Sequence, residues 1–164
     1  MILKYINRGV FPIKSIARLL ESKNIDPFIT RIKILKYLIE HDDHPSVDEI
    51  YGHLETEIPT LSKTTVYNVL KLLVGKGLVR VVDLGENRHH YDANTADHGH
   101  FKCKKCGHIY DFRIDIDGLE VKDLQDFKVL ERNIYFKGIC PRCLPGNKRK
   151  AAGNNGDNQD LKAN

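Results

Sequence analysis

The stretch His98-Gly-His100-Phe-Lys-Cys103-Lys-Lys-Cys106-Gly-His-Ile-Tyr-Asp111 sets two kinds of metal ligand side by side. His98 and His100 alternate, so on an extended strand both imidazoles leave from one face. Cys103 and Cys106 form a C-x-x-C turn that directs two thiolates at one point. A second pair, Cys140 and Cys143, follows as C-P-R-C, so all four cysteines of the chain fall in two such pairs. Four thiolates at this spacing are the donor set of a tetrahedral zinc that contributes folding energy. The alternatives are reduced pairs that bind nothing, disulfides, or a redox pair. No secretion signal is read, which points to a reducing cytosol. Neither C-x-x-C opens a helix in a βαβ pattern, as a thioredoxin-like pair would.

Length and composition bound the rest. A chain of 164 residues with 41% hydrophobic residues suffices for one compact domain or two small ones. The net charge of +4 is compatible with a nucleic-acid partner without establishing one. Lys4 and Arg8 interrupt the apolar residues of Met1–Phe11, and no apolar run approaches the ~20 residues of a membrane span. The expectation is a soluble, cytoplasmic protein with no membrane partner.

Upstream of the histidines, apolar periodicity predicts helices. Pro12–Lys23 keeps Ile13, Ile16, Ala17 and Leu20 on one face. Asp26-Pro27 is a start signal for a second helix, with Asp26 able to cap and Phe28, Ile32, Leu35 and Ile39 at helical spacing. The polar residues and proline of His41–Pro45 end it. Ser46-Val-Asp-Glu49 is a capping box, opening a third helix with a stripe of Val47, Ile50, Tyr51, Leu54 and Ile58. Ser62 caps a fourth helix, which buries Val66, Val69, Leu70 and Leu73 and ends at Gly75 and Gly77. Its opposite face shows Lys63, Thr64, Thr65, Tyr67, Asn68 and Lys71, with no acidic residue. Leu78–Leu84 and Arg88–Tyr91 read as a hairpin around Gly85-Glu86-Asn87.

Three short helices and then a hairpin are the order of a winged helix, whose last helix enters the DNA major groove. The hydroxyls, amide, phenol and lysines of that face suit base edges and phosphates. An ordinary solvated face is the alternative, and the hairpin favours DNA. The fold class read from the whole pattern is α+β. An N-terminal winged helix-turn-helix domain (1–91) leads through a hinge (92–97) to a small α+β domain (98–144). That second domain has strands at Phe101–Cys103, His108–Ile116 and Lys128–Tyr135 and a helix at Leu119–Phe127. Its core is thin, so the zinc acts as a staple and a partner chain could add more. Residues 145–164, almost without apolar side chains, read as a disordered tail.

A second ligand set surrounds the opening stretch: His44 in the loop between helices two and three, Asp92 at the hinge, and Asp111. With His98 and His100 this makes three imidazoles and two carboxylates, a set suited to Fe(II) or Mn(II) and open to zinc. Spacing alone pairs only His98 with His100. A loop histidine is ordinarily solvated, and a hinge aspartate ordinarily caps a turn.

The ordered motifs His44-Pro-Ser-Val-Asp-Glu-Ile-Tyr51, Leu61-Ser-Lys-Thr-Thr-Val-Tyr-Asn-Val-Leu70, Gly77-Leu-Val, Tyr91-Asp92, Asp97-His-Gly-His100, Cys103–Cys106 and Cys140–Cys143 resemble the ferric uptake regulator family. The resemblance runs over about residues 12 to 143 and is greatest to the peroxide-responsive branch. It implies a winged-helix DNA-binding domain hinged to a dimerisation domain. It also implies a structural zinc on Cys103, Cys106, Cys140 and Cys143, and a regulatory Fe(II) or Mn(II) on His44, Asp92, His98, His100 and Asp111. Metal-sensing members tend to carry glutamate where this chain has Asp111. The function implied is a metal-dependent repressor, a homodimer on a palindromic double-stranded operator. It would sense peroxide through Fe(II)-catalysed oxidation of His44 and His98, and would not be an enzyme. The chain departs from the family at Phe28-Ile-Thr-Arg31, where many members read Thr-Pro-Gln-Arg, and in its tail.

Three rival readings remain. An iron- or zinc-uptake repressor would differ only in what it senses. A metalloenzyme activating water at His98, His100 and an aspartate lacks a separate acid–base pair and leaves the winged-helix order unexplained. A structural zinc ribbon leaves the histidines without a role.

Overall fold

A computed structural model describes residues 11–86, 88–115, 118, 124, 126–129 and 132–145. The helices are α1 (Ile13–Ser22), α2 (Ile29–Glu40), α3 (Val47–Leu54) and α4 (Lys63–Gly75). The strands are β1 (Arg80–Val82), β2 (His90–Asp92), β3 (Gly99–Cys103), β4 (Ile109–Phe112) and β5 (Tyr135–Gly138). This is the expected mixed α+β architecture, a winged helix followed by a small sheet domain.

The helices pack because their apolar faces converge on α2, which lies against α1, α3, α4 and β2. Ile32, Ile34, Leu35, Tyr37 and Leu38 of α2 are all buried, more than one face of a surface helix would bury. Ile16 and Leu20 of α1, Ile50 and Leu54 of α3, and Val66, Val69, Leu70 and Leu73 of α4 complete this core.

The start of α2 departs from the expected cap. Phe28, not Asp26, precedes the helix, and no side chain caps it. The Asp26 carbonyl instead accepts from the Phe28 amide and the Arg31 guanidinium, both at 2.9 Å. Phe28 is 61% exposed and leaves the predicted stripe, because residues before the first helical turn do not share its periodicity. The capping box is present: Ser46 N–H donates to Glu49 Oε2 at 2.7 Å and Glu49 N–H to Ser46 Oγ at 3.4 Å. Ile58 follows α3 in a turn rather than extending its stripe. Gly75 is still helical. Gly77, at φ +67°, makes the left-handed exit.

The β1–β2 hairpin is antiparallel with Arg80 opposite Asp92, the last residue of β2. In the second sheet the order is β4-β3-β5, antiparallel on one side of β3 and parallel on the other. The strand expected at Lys128–Tyr135 is displaced to Tyr135–Gly138. β5 pairs with β3 from His100 to Cys103, and Gly138 opposite Cys103 brings the second C-x-x-C alongside the first. Most of the helix expected at 119–127, most of the tail at 145–164 and Asn87 lie outside the described residues.

Val82 and Leu84 of the hairpin bury together with Ile109 of β4, and Glu86 pairs with Lys102 of β3 at 2.5 Å. The hairpin thus rests on the second sheet. That sheet leaves Tyr135, Phe136, Ile139 and Leu144 exposed on its own chain. Among the described residues, no helix is long and apolar enough to cross a membrane.

Candidate metal centres and the exposed face of α4

The four cysteines meet because two tight turns are set side by side by β3 and β5. Cys103 ends β3, and its carbonyl accepts from Gly107 N–H at 2.9 Å. Gly107 sits at φ +74°, which glycine adopts without strain. Cys140 lies two residues beyond the Gly138 partner of Cys103, and Cys143 N–H closes the second turn on the Cys140 carbonyl at 2.8 Å. The four sulfurs lie within 4.8 Å of one another. Cys106 and Cys140 are 3.8 Å apart, far from the ~2.05 Å of a disulfide. Four sulfurs each about 2.3 Å from a tetrahedral zinc are ~3.8 Å apart.

The thiols titrate against one another. Burial pushes the Cys103 thiol up, but backbone N–H groups, led by that of Cys140 at 3.3 Å, outweigh it and bring the value to about 6. Burial and the neighbouring sulfurs push Cys143 up to about 12. Four thiolates cannot coexist here without a cation between them, and zinc fits that demand.

The second cluster draws on both halves of the chain. His44 comes from the α2–α3 loop, Asp92 from the end of β2, His98 from the residue just before β3, His100 from β3 itself, and Asp111 from β4 directly opposite His100. Asp92 Oδ2 stands 3.1 Å from His98 Nε2 and 3.9 Å from the Nε2 atoms of His44 and His100. Asp111 Oδ1 stands 2.8, 3.6 and 3.8 Å from Nε2 of His44, His98 and His100. His44, His98 and His100 are 2%, 6% and 5% exposed.

None of the three Nε2 atoms, nor Asp92 Oδ2, makes a well-directed hydrogen bond, although all are buried. Even the 2.8 Å approach of His44 to Asp111 lacks that direction. Buried polar atoms are normally paired, so these atoms converge on a shared point rather than on one another. His98 Nδ1 donates to the Ala96 carbonyl at 2.7 Å, which leaves the Nε2 lone pair turned to the centre, as in metal-ligating histidines. Burial would lower His44 and His98, but Asp111 beside His44 and Asp92 beside His98 leave both raised. Burial would raise Asp92, and the imidazoles hold it well below the usual carboxylate range. Three imidazoles and two carboxylates gathered around one point are a donor set that a divalent ion fits.

Sequence reasoning did not single out His90. It is 8% exposed, and its Nδ1 lies 2.6 Å from the His44 carbonyl. Burial holds its imidazole below the usual value. Only the pairing of β2 with the distant loop reveals it.

On α4, Lys63, Thr64, Tyr67, Asn68 and Lys71 are exposed together. Thr65 is half-buried: its N–H donates to Ser62 Oγ at 3.1 Å and the two hydroxyls share a hydrogen bond at 2.8 Å. It serves the helix cap rather than the open face. Asp48 of α3 meets Lys63 at 2.6 Å and Arg88 of the hairpin at 3.9 Å, so the acid-free face expected for α4 borders a carboxylate.

The model of the ferric uptake regulator family matches residues 29–137. The peroxide-responsive repressor PerR of Staphylococcus epidermidis is 35% identical over 116 residues, covering 69% of this chain and 77% of that protein. Its counterpart in Staphylococcus aureus is 35% identical over 117 residues, covering 69% and 78%. Among solved structures, the ferric uptake regulator of Francisella tularensis with iron aligns with a TM-score of 0.60 at 26% identity, covering 70% of this chain and 91% of that one. That of Helicobacter pylori aligns at 0.62 and 20% identity over 84% and 97%, a likeness of fold. Sequence, fold and paired donor clusters agree: the chain belongs to the ferric uptake regulator family of metal-responsive, dimeric, DNA-binding repressors, which are not enzymes.

Proposed function

We propose that this protein is a peroxide-responsive repressor, in which His44, Asp92, His98, His100 and Asp111 hold a regulatory Fe(II) or Mn(II). Cys103, Cys106, Cys140 and Cys143 hold a structural zinc. Residues 1–91 read a palindromic double-stranded operator, 92–97 link and 98–144 dimerise. The observation that carries the reading is the set of buried Nε2 atoms of His44, His98 and His100 and the Asp92 Oδ2 beside them, without hydrogen-bond partners and drawn from distant parts of the chain. The names of the 35% identical relatives support peroxide as the signal.

The residues act as a clamp. His44 belongs to the helical domain, while His98, His100 and Asp111 belong to the second sheet, so shared ligation fixes the angle between them. In a symmetric dimer that angle sets the separation of the two α4 helices, whose exposed Lys63, Thr64, Tyr67, Asn68 and Lys71 face half-sites ~34 Å apart or a multiple of it. Converting a mostly open population to a mostly closed one takes a differential affinity of about 5 kcal/mol, within reach of a five-ligand site.

Fe(II), when bound, supplies the redox chemistry by which peroxide oxidises an adjacent imidazole. The net change inserts one oxygen atom into a C–H bond of His44 or His98, and the peroxide leaves as water. The altered ring is a poor ligand, so the clamp opens and DNA is released.

Gel-shift binding to a palindromic duplex, with Mn(II), Fe(II) or chelator and with or without peroxide, tests this. His44→Ala should abolish metal-dependent binding while the zinc is retained. Peroxide should release DNA from the Fe(II) form alone, with one oxygen gained on His44 or His98 by mass spectrometry. Unmodified histidines under those conditions would leave a plain metal sensor. Unaltered metal dependence in His44→Ala would refute the clamp.

A further inference from the structure

We propose that His90 is a positioning residue for the regulatory site: its imidazole holds the His44 main chain in the conformation that delivers the His44 ring to Asp92, His98 and His100. The inference rests on reading that cluster as the regulatory metal site.

His44 stands at φ +52°. A side chain with a Cβ is disfavoured in the left-handed region, and Pro45 after it favours an extended conformation at His44. Left to itself, this residue would relax toward the extended region and carry its ring elsewhere. Strain of this kind persists only where surrounding contacts over-determine it.

Those contacts come from β2. His90 Nδ1 lies 2.6 Å from the His44 carbonyl oxygen, which can only accept, so Nδ1 carries the hydrogen. The next residue, Tyr91, donates its N–H to the Pro45 carbonyl at 3.1 Å. Two consecutive carbonyls of the loop are thus gripped by two consecutive residues of one strand. On the far side, Ser46 is pinned by its capping box.

Strand alternation completes the device. His90 and Asp92 are two apart and share a face of β2. The first holds the main chain of His44, and the second presents its carboxylate 3.9 Å from the His44 ring. The other nitrogen of His90 is buried without a hydrogen-bond partner, and the residue lines an open cavity of about 520 Å³ together with Glu49, Glu86, Arg88 and Lys102. Among the described residues, the bond to His44 is therefore the polar contact that this buried imidazole makes.

The test is calorimetric titration of Mn(II) into the full-length, zinc-loaded protein. His90→Leu removes the donor. His90→Asn places an amide nitrogen near the position of ring Nδ1, whereas His90→Gln places it nearer Nε2. Loss of a hydrogen bond behind a ligand typically weakens metal affinity 10- to 100-fold. We expect that loss in the Leu and Gln variants and near-wild-type affinity in the Asn variant, with zinc content unchanged in all three. If His90→Leu does not fold, the Asn and Gln pair decides.

Equal affinity in the Asn and Gln variants overturns the proposal. So does a Gln variant that loses urea resistance in the zinc-loaded, Mn(II)-free protein but keeps wild-type Mn(II) affinity, since that is a structural role alone. His44→Ala serves as the reference. Were wild-type Mn(II) binding independent of His44, the regulatory reading itself would fail, an outcome separate from a His90 that simply does not matter.

Discussion

Gly99→Ala tests the geometry of the regulatory site at its narrowest point. Gly99 sits between His98 and His100 on β3, directly opposite Phe112, the residue after Asp111. A Cβ at position 99 would lie 2.2, 2.4 and 2.8 Å from three atoms of the Phe112 ring, so the ring must move by about 1 Å or more to reach ordinary carbon–carbon contact of ~3.5 Å. The ring is stacked on Phe136 at 5.4 Å between centroids. Giving up such a stack costs about 0.5–1.5 kcal/mol, and overpacking as a whole typically costs 1–3 kcal/mol. We therefore expect urea stability, measured in the zinc-loaded protein without Mn(II), to fall by about 2 kcal/mol.

The sign should invert once the ring is removed. Gly99 has no left-handed φ, so in a Phe112→Ala background alanine on this strand gains about 0.5–1 kcal/mol over glycine. The double-mutant cycle would then show a coupling of roughly 3 kcal/mol, far above the ~0.5 kcal/mol of independent sites. Mn(II) affinity should fall with Gly99→Ala in the wild-type background alone, because the displaced ring disturbs both His98–His100 and Asp111. Destabilisation of equal size in both backgrounds would refute the reasoning.

Ser46→Ala should cost about 1 kcal/mol by removing the N-cap of α3, read as a lower urea midpoint with an unchanged slope. Burial raises the Glu49 carboxyl, but the Ser46 hydroxyl and N–H outweigh it and leave it below its ordinary value of 4.5. Its contribution is therefore complete above that value and lost as pH falls below it, and Glu49→Gln should flatten this part of the stability–pH curve. Stripping the cysteine cluster with a strong chelator should release one zinc, lower the pH of an unbuffered sample on reloading as thiols give up protons, and unfold the β3–β5 sheet while the helical circular dichroism of α1–α4 persists. Loss of both signals together would show that the sheet domain and the helical domain unfold as one.

The parts legible in the sequence are those encoded by near neighbours. The 3.6-residue apolar period located α1 to α4, the Ser46 box and Ser62 cap marked two of their starts, and i, i+2 spacing paired His98 with His100. The two C-x-x-C turns declared their chemistry without any fold, because each is closed within a few residues. Where neighbours are uninformative the reading slipped: Asp26 was the plausible cap, yet α2 starts after Phe28, and β5 begins where the expected strand ends.

Only the tertiary structure shows how the distant residues meet. His44, Asp92 and Asp111 join the histidine pair because β2 grips the α2–α3 loop and the β3–β4 register sets Asp111 opposite His100. The parallel pairing of β5 with β3 likewise brings Cys140 to Cys103. Local sequence restricts each residue's own dihedrals and capping partners. Convergence across dozens of residues depends on strand register and loop closure, which spacing along the chain does not reveal.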